Sequence, residues 1–469
     1  MTAWRDIPLD APVFQNVVES ALRSGTATLE NAFVTEQKGH SRFPGLSVFS
    51  TLAGNRPVAL NSWAGDLIAV PLGGRVYRID QSGTKADMTG TAVRGDQRAI
   101  FAKTEAIMVI CAGGPIVQYT GTTTRLLAAS APESTHVVFV DGYLIAIEPH
   151  SGRFYYSDPG EYDVWNPLSV FTAEGKPDNL VAAAVSPYNE LLLCGPDSIE
   201  EFIRVTSGDQ PFARRYVSGQ GLSVPYSLVT IREGNYGMSE NYEFVRFSGQ
   251  QASDQSDQIQ MTLDDVDDWS NAWAAELPIK GQKFIVIQAP LATNAHGTKG
   301  VTLLYDVKRR RWSSLYGWDS VKQIPTLWPG RSVFRLWGRT FIGGDGAVYE
   351  MTDALAANAG AVQRMVGRTA HADFGSPASA DKLRVRLTRG VGSQANASTP
   401  PEIMLRLNKD NLGFGGWMRK SLGAPGKRNM VIEFDGPGLF DTLQIEYQVT
   451  DAVPVDIHKI QVNVTLLEH

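Results

Sequence analysis

The chain has 469 residues, 43% hydrophobic and 20% charged, which are the values of an ordinary globular protein with room for one large repetitive domain and a smaller one. No stretch approaches the ~18 uninterrupted apolar residues of a membrane-spanning helix, and Met1–Phe14 lacks the basic-then-apolar order of a secretory signal. A net charge of −6 weighs against tight phosphate-driven binding of nucleic acid.

A unit of strand, turn and strand recurs along the chain. Leu67–Val70, a Gly73-Gly74 turn and Val76–Ile79 form the first unit, and Ile107–Tyr119 repeats it around Gly113-Gly114. Paired glycines permit the positive φ of two-residue hairpin turns, so both units are predicted to be β-hairpins. Looser copies follow at Val137–Ile147, Glu190–Ile203, Tyr242–Gly249, Lys283–Val307 and Arg339–Met351.

About seven such units lie roughly 30 to 55 residues apart, near the repeat length of one propeller blade. A small sheet cannot bury both of its faces alone, and radial stacking of similar sheets solves that problem. We therefore predict an all-β fold in which a six- or seven-bladed β-propeller at residues 41–360 follows an N-terminal extended segment at residues 1–40.

Helical sequence is scarce. The best candidate is Leu263–Leu277, an insertion between blades whose acid-rich start, Asp264–Asp268, would lie where the helix dipole favours negative charge. These acids could alternatively bind cations, but a capped helix start facing water is the simpler interpretation.

The pattern changes after Met351 to Ala-, Gly- and Asn-rich sequence, which indicates the exit from the propeller. Beyond it, five segments alternate apolar and polar residues and predict a small C-terminal antiparallel β-sandwich-like domain at residues 361–469. The segments are Leu383–Leu387, Glu402–Leu407, Asn429–Phe434, Thr442–Val449 and Ile457–Leu467. The link Gly390–Pro401 is predicted to be a loop.

No catalytic, cofactor-binding or metal-binding residue is predicted, and no cofactor. The seven histidines are scattered, without a His-Glu-x-x-His or Cys-x-x-Cys spacing. Gly343–Gly346 lacks the Lys-Ser/Thr of a P-loop and the acidic periodicity of a calcium loop, so it is predicted to be a hairpin turn. Cys111 and Cys194 lie in apolar stretches and are predicted to be small core residues.

Two further patterns allow a binding or a structural interpretation. The basic run Lys308–Arg311, followed by Trp312, could contact phosphate, but a solvated turn or blade edge is favoured. Several tryptophans could line a sugar groove, but we predict that most of them wedge the blades together. They are Trp165, Trp273, Trp312, Trp328 and Trp337.

Strings along nearly the whole chain resemble the packaged-DNA stabilisation proteins of short-tailed phages, the family that forms the tail hub or nozzle. They carry the resemblance by their order and combined coverage. The strings are Leu29–Asn31, Ser41–Leu46, Gly74–Tyr77, Gly113–Tyr119, Phe154–Asp158, Ala173–Asp178, Asp197–Phe202, Thr206–Gly208 and Leu303–Val307 with Trp312. The acidic insertion Asp264–Trp273 and the Gly390–Pro401 loop have no counterpart in this resemblance.

The resemblance implies a structural virion protein rather than an enzyme. It implies a ring of identical subunits, a homohexamer, below the portal adaptor in the virion tail, assembled in the host cytoplasm. The ring would extend the DNA exit channel, retain the packaged DNA until ejection, and dock a tail needle or plug and tailspikes or fibres. Double-stranded DNA would pass through the channel without tight binding.

The alternative is a β-propeller that binds glycans or hydrolyses them, since propellers often place such sites at the mouth of the central channel. It requires acids from successive blades to converge on one face. Candidates near turns are Asp141, Asp158 and Asp345.

Overall fold

The computed structural model describes residues 2–10, 27–173, 175–206, 210–249, 251–389, 400–423 and 429–467. Five strands precede the first complete blade. They are β1 (Thr2–Ile7), β2 (Thr28–Glu30), β3 (Ala32–Val34), β4 (His40–Arg42) and β5 (Gly45–Thr51).

Four-stranded antiparallel units then follow one another in chain order. Blade 1 contains β6 (Val58–Trp63), β7 (Asp66–Pro71), β8 (Tyr77–Ile79) and β9 (Lys85–Asp87). Blade 2 contains β10 (Ile100–Lys103), β11 (Met108–Cys111), β13 (Val117–Tyr119) and β14 (Thr124–Leu126), while the short β12 (Gly114–Pro115) pairs with β15 (Glu133–Ser134). Blade 3 contains β16 (His136–Val140), β17 (Tyr143–Ile147), β18 (Arg153–Tyr156) and β19 (Val170–Thr172).

The next three blades repeat the design. Blade 4 contains β20 (Ala182–Val185), β21 (Leu191–Cys194), β22 (Ile199–Arg204) and β23 (Phe212–Ser218). Blade 5 contains β24 (Val229–Ile231), β25 (Gly234–Met238), β26 (Phe244–Ser248) and β27 (Gln251–Asp254). Blade 6 contains β28 (Trp273–Ile279), β29 (Gln282–Thr293), β30 (Lys299–Asp306) and β31 (Arg311–Ser314), and the hairpin of β32 (Tyr316–Asp319) and β33 (Ile324–Leu327) follows it.

Blade 7 is assembled from both sides of the propeller sequence. It contains β34 (Ser332–Leu336), β35 (Arg339–Gly343) and β36 (Ala347–Thr352), and its fourth strand is β5, which pairs with β36 from Gly45↔Thr352 to Thr51↔Ala347. The short strands β37 (Ala357–Asn358) and β38 (Ala361–Val362) extend the same sheet. The described residues therefore form a seven-bladed β-propeller that an early strand closes.

The predicted hairpins form, but two of them occupy a different place in their blade. Both Gly-Gly units, and the later units in blades 4, 6 and 7, join the second and third strands. Val137–Ile147 instead joins the first and second strands of blade 3, and Tyr242–Gly249 covers the third strand of blade 5 and its exit turn. Hairpins at different places in a blade share the same local turn chemistry, so the sequence pattern alone does not distinguish them.

The predicted helix at Leu263–Leu277 is wrong. The helix α1 (Gln260–Asp264) has five residues and no acid in its first turn, and the run Asp264–Asp268 follows its start instead of capping it. Trp273–Ile279 is the strand β28, because pairing with β29 buries Trp273 and Leu277, which outweighs a weak local helix preference. Within the described residues, no helix has the length and apolar character needed to cross a membrane.

The C-terminal strands are β39 (Met365–Arg368), β40 (Ala372–Arg389), β41 (Glu402–Lys409), β42 (Met418–Ser421), β43 (Asn429–Val449) and β44 (Val455–Leu466). Two predicted strands, Asn429–Phe434 and Thr442–Val449, are one bent strand, β43, whose pairing with β40 shifts register. Gly436 and Gly438 have positive φ at the bend, and they form an irregularity inside one strand instead of a turn between two strands. Positions 390–399 of the predicted loop lie outside the described residues.

The segment from β2 to β5, here called the seam, lies between the propeller and the C-terminal strands. β2 pairs with β31 of blade 6 on one side and with β39 on the other. Along β3 the side chains alternate: Ala32 and Val34 enter the C-terminal core, whereas Phe33 enters a propeller core with Phe43. The seam is thus shared by both cores.

Candidate functional site

The glycine-rich string Gly343–Gly346 lies at the turn between β35 and β36, as predicted. Asp345 in this turn accepts hydrogen bonds from Arg331, whose Nε and Nη2 lie 3.0 and 2.6 Å from the two carboxylate oxygens. The Asp345 carboxylate is therefore already paired with Arg331, which donates a hydrogen bond to each of its oxygens.

The basic run Lys308–Arg311 covers the turn between β30 and β31. Lys308 lies 3.3 Å from a carboxylate oxygen of Glu36, and Arg309 donates to Asp306 at 2.8 Å. Trp312 is 1% exposed, so it offers no ring for a base to stack on. The structure favours the solvated-turn interpretation over a phosphate-binding one.

The tryptophans act mainly as core side chains. Trp273, Trp312 and Trp328 are almost fully buried, and Trp165 is buried between blades 2 and 3. Trp337 packs edge-on to Phe341 and donates its indole N–H to the carbonyl of Gly65 at 2.8 Å. The prediction that these rings wedge blades together agrees with this packing.

Both cysteines, Cys111 and Cys194, are free and buried, and burial raises the pKa of each thiol to about 12. They are small core residues in blades 2 and 4.

The three acids of the glycan alternative have different surroundings. Asp345 lines a cavity described below, whereas Asp141 accepts a hydrogen bond from Asn189 and Asp158 forms a β-bridge with Glu161. No group of three or more His, Cys, Asp or Glu side chains within the described ranges could hold a metal ion.

A cavity of about 420 Å³ lies among blades 1, 2, 6 and 7, and we call it the axial cavity. Most of its lining side chains are apolar, and they come from the starts and turns of these blades. The apolar part of the lining is Pro57, Val58, Ala59, Val70, Leu72, Ala99, Trp273, Pro290, Leu291 and Leu327. The polar part is Asn55, Arg56, Asp96, Arg98, Tyr226, Asn271, Arg331 and Asp345.

A chain of hydrogen bonds fixes one wall of the axial cavity. The amide oxygen of Gln288 accepts from the indole N–H of Trp273 at 3.0 Å and from Arg331 Nη1 at 2.8 Å. The amide nitrogen of Gln288 donates to Thr302 Oγ1 and to the carbonyl of Trp328. Because every polar atom of this buried amide is used, the side chains around it are held in one arrangement.

Arg98 lies over the face of Trp273, with its guanidinium carbon 5.0 Å from the ring centroid, and donates to the carbonyl of Arg331 at 2.5 Å. Burial lowers its pKa to about 10. Burial also raises the pKa of the neighbouring Tyr226 phenol, which donates to Gln97 Oε1 at 3.0 Å.

Arg98, Tyr226 and Gln288 were not predicted from the sequence. The residues that meet at the axial cavity come from distant parts of the chain and acquire their environment only when the ring closes. The available signal was a charged residue just before a strand, since Arg98 lies two residues before the start of β10.

A family model described as the bacteriophage P22 Gp10 β-propeller matches residues 28–316. Ser207, Gly208 and Glu174, which belong to the strings of the sequence resemblance, lie outside the described residues. No curated protein matches the chain.

Solved structures with a similar fold include the computationally designed Ika8 protein, 13% identical, with a TM-score of 0.37 over 65% of this chain and 99% of that one. They also include virginiamycin B lyase from Staphylococcus aureus, 9% identical, with a TM-score of 0.43 over 64% of this chain and 97% of that one. Likeness at this level carries no information about function.

Proposed function

Because this chain belongs to the bacteriophage P22 Gp10 β-propeller family, a phage structural family, we propose that it is a tail hub or nozzle protein. In this proposal six copies form a ring below the portal adaptor in the virion tail. The family match over residues 28–316 is the observation that carries the proposal. A closed ring requires each subunit to repeat one head-to-tail interface.

The mechanical part of the proposal is that the ring extends the DNA exit channel and helps to retain the packaged genome. The net charge of −6 supports it, because a chain with more acidic than basic residues gives phosphates little net positive charge to bind. The ion pairs of the basic turn support it as well, since Lys308 and Arg309 have carboxylate neighbours within the chain.

The docking part of the proposal is that the subunit presents fixed surfaces to a tail needle or plug and to tailspikes or fibres. The seam supports it by joining the propeller to the C-terminal strands. Arg364 lies 2.8 Å from Glu30, and Arg42 Nη1 donates to the carbonyl of Val453 at 2.9 Å. A subunit whose two parts share buried contacts transmits force as one body.

The proposal is tested by electron microscopy and analytical ultracentrifugation of the purified protein, alone and with its portal and adaptor. We expect a ring of identical subunits on the adaptor. A protein that remains a monomer and never joins the portal assembly would overturn the proposal, as would glycan turnover that is lost on mutation of Asp141, Asp158 or Asp345.

A further inference from the structure

We propose that the axial cavity is a binding site for an organic carboxylate, and that Arg98 is the residue that binds the carboxylate group. Nothing in the tail-hub function requires such a site, and the inference does not depend on ring assembly. It rests on the lining of the cavity and on the surroundings of one guanidinium group.

Two arginines of the cavity lining, Arg98 and Arg331, differ in their partners. Arg331 has the carboxylate of Asp345 in a bidentate pair, whereas none of the ion pairs formed by the described residues includes Arg98. The other carboxylate in the lining, that of Asp96, is on an exposed residue.

Arg98 is half-buried in the lining of the cavity, and the five N–H donors of a guanidinium group match the two oxygens of a carboxylate. Arg98 makes one hydrogen bond, to the Arg331 carbonyl, and one ring contact, to Trp273. Its lowered pKa of about 10 agrees with a cation that lacks a carboxylate partner. An anionic ligand would supply that partner.

The remaining lining selects the kind of anion. Side chains such as Val58, Val70, Leu72 and Leu327 give the cavity apolar walls, and its volume of about 420 Å³ lies in the range of small-molecule sites. Apolar walls gain nothing from an inorganic anion but gain from burying a hydrocarbon or aromatic group. The ligand is therefore a carboxylate attached to an apolar body, either a free acid or the end of a peptide.

The probes are phenylacetate and N-acetylglycylphenylalanine, each compared with its neutral amide and with inorganic phosphate by calorimetry and ligand-observed NMR. We expect at least one carboxylate to bind, its amide to bind about tenfold more weakly or worse, and phosphate not to compete. Stronger binding of phenylacetate identifies a free acid as the source, and stronger binding of the dipeptide identifies a chain terminus.

The variant Arg98→Gln should weaken carboxylate binding about tenfold to a hundredfold, while Arg94→Gln, an exposed arginine outside the cavity lining, should leave it unchanged. Thermal melting of both variants checks that they fold. The comparison of acid with amide on the wild-type protein stands even if Arg98→Gln does not fold. Absence of binding by both acids, equal binding of acid and amide, or unchanged binding by folded Arg98→Gln would overturn the proposal.

Discussion

Blades 1 to 5 and the seam differ in how their strands pair: the blades pair strands that are close in the chain, and the seam pairs strands that are far apart. In each of these blades four strands come from one contiguous stretch and pair with their chain neighbours, apart from the small β12–β15 insertion in blade 2. The seam instead joins β2 to strands of blade 6 and the C-terminal region, and adds β5 to blade 7. Local turn chemistry thus makes the repeats, whereas buried contacts between distant residues join them into one body.

The largest expected effect comes from Arg42 in the seam. Its guanidinium is buried and donates to the carbonyls of Gln363, Asp451 and Val453. Arg42→Met keeps much of the volume but leaves these acceptors unsatisfied, so we expect the free energy of unfolding to fall by about 3–5 kcal/mol. Urea denaturation followed by tryptophan fluorescence measures it.

The matched control is Arg78→Met in blade 1, where the arginine is exposed and lies 3.6 Å from Asp66. An exposed pair contributes about 1 kcal/mol or less, so this variant should unfold close to the wild type. Equal losses for the two variants would mean that the seam is no more important to stability than a blade surface.

The next effect is a pH dependence. His40 in the seam is buried, and its Nε2 lies 2.6 Å from the carbonyl of Leu9, so Nε2 carries the proton while Nδ1 accepts from the Tyr447 hydroxyl. Burial lowers the pKa of His40 to about 4. In the unfolded chain this histidine has its ordinary pKa near 6.5, so it takes up a proton at a higher pH than it does in the folded chain.

The neutral histidine thus contributes stability that is present above pH 6.5 and is lost as pH falls towards 4, amounting to roughly 3 kcal/mol. His136 in blade 3, also buried with its pKa lowered to about 4, should add a similar slope. Urea midpoints at pH 7 and pH 4.5 should differ less in His40→Gln than in the wild type. An identical pH slope in both proteins would contradict this assignment.

The smallest effect distinguishes two adjacent turn glycines in blade 1. A Cβ on Gly74, at φ +88°, would lie 2.0 Å from the carbonyl oxygen of Val93, whereas one on Gly73, at φ +109°, would meet nothing within 4 Å. Gly74→Ala should lower the free energy of unfolding by about 2–3 kcal/mol, because it adds a clash to the backbone strain. Gly73→Ala should lower it by about 1 kcal/mol, because there the strain acts alone. Denaturation midpoints of the two variants give the difference, and a reversed order would contradict it.

The sequence predicts the structural features that are determined by residues close together in the chain. Glycine pairs such as Gly73-Gly74 revealed hairpins because positive φ is a local requirement, and the all-β class follows from strand periodicity. The sequence predicts a helix for Trp273–Ile279 because the acidic run before it favours a helix start, and the local pattern does not show that this segment pairs with β29. Arg98 was missed because its environment is made by Trp273 and Arg331, which lie far along the chain.

The early position of β5 in the sequence determines when the propeller can close during synthesis on the ribosome. It leaves the exit tunnel before blade 1, but its partner β36 follows roughly 300 residues later, a delay of about 15 to 60 s at ordinary translation rates. During that interval blade 7 is incomplete, so the ring of blades is open and β5 lacks its partner strand. The propeller closes in a single late event, after which β5 and β36 protect each other's edges.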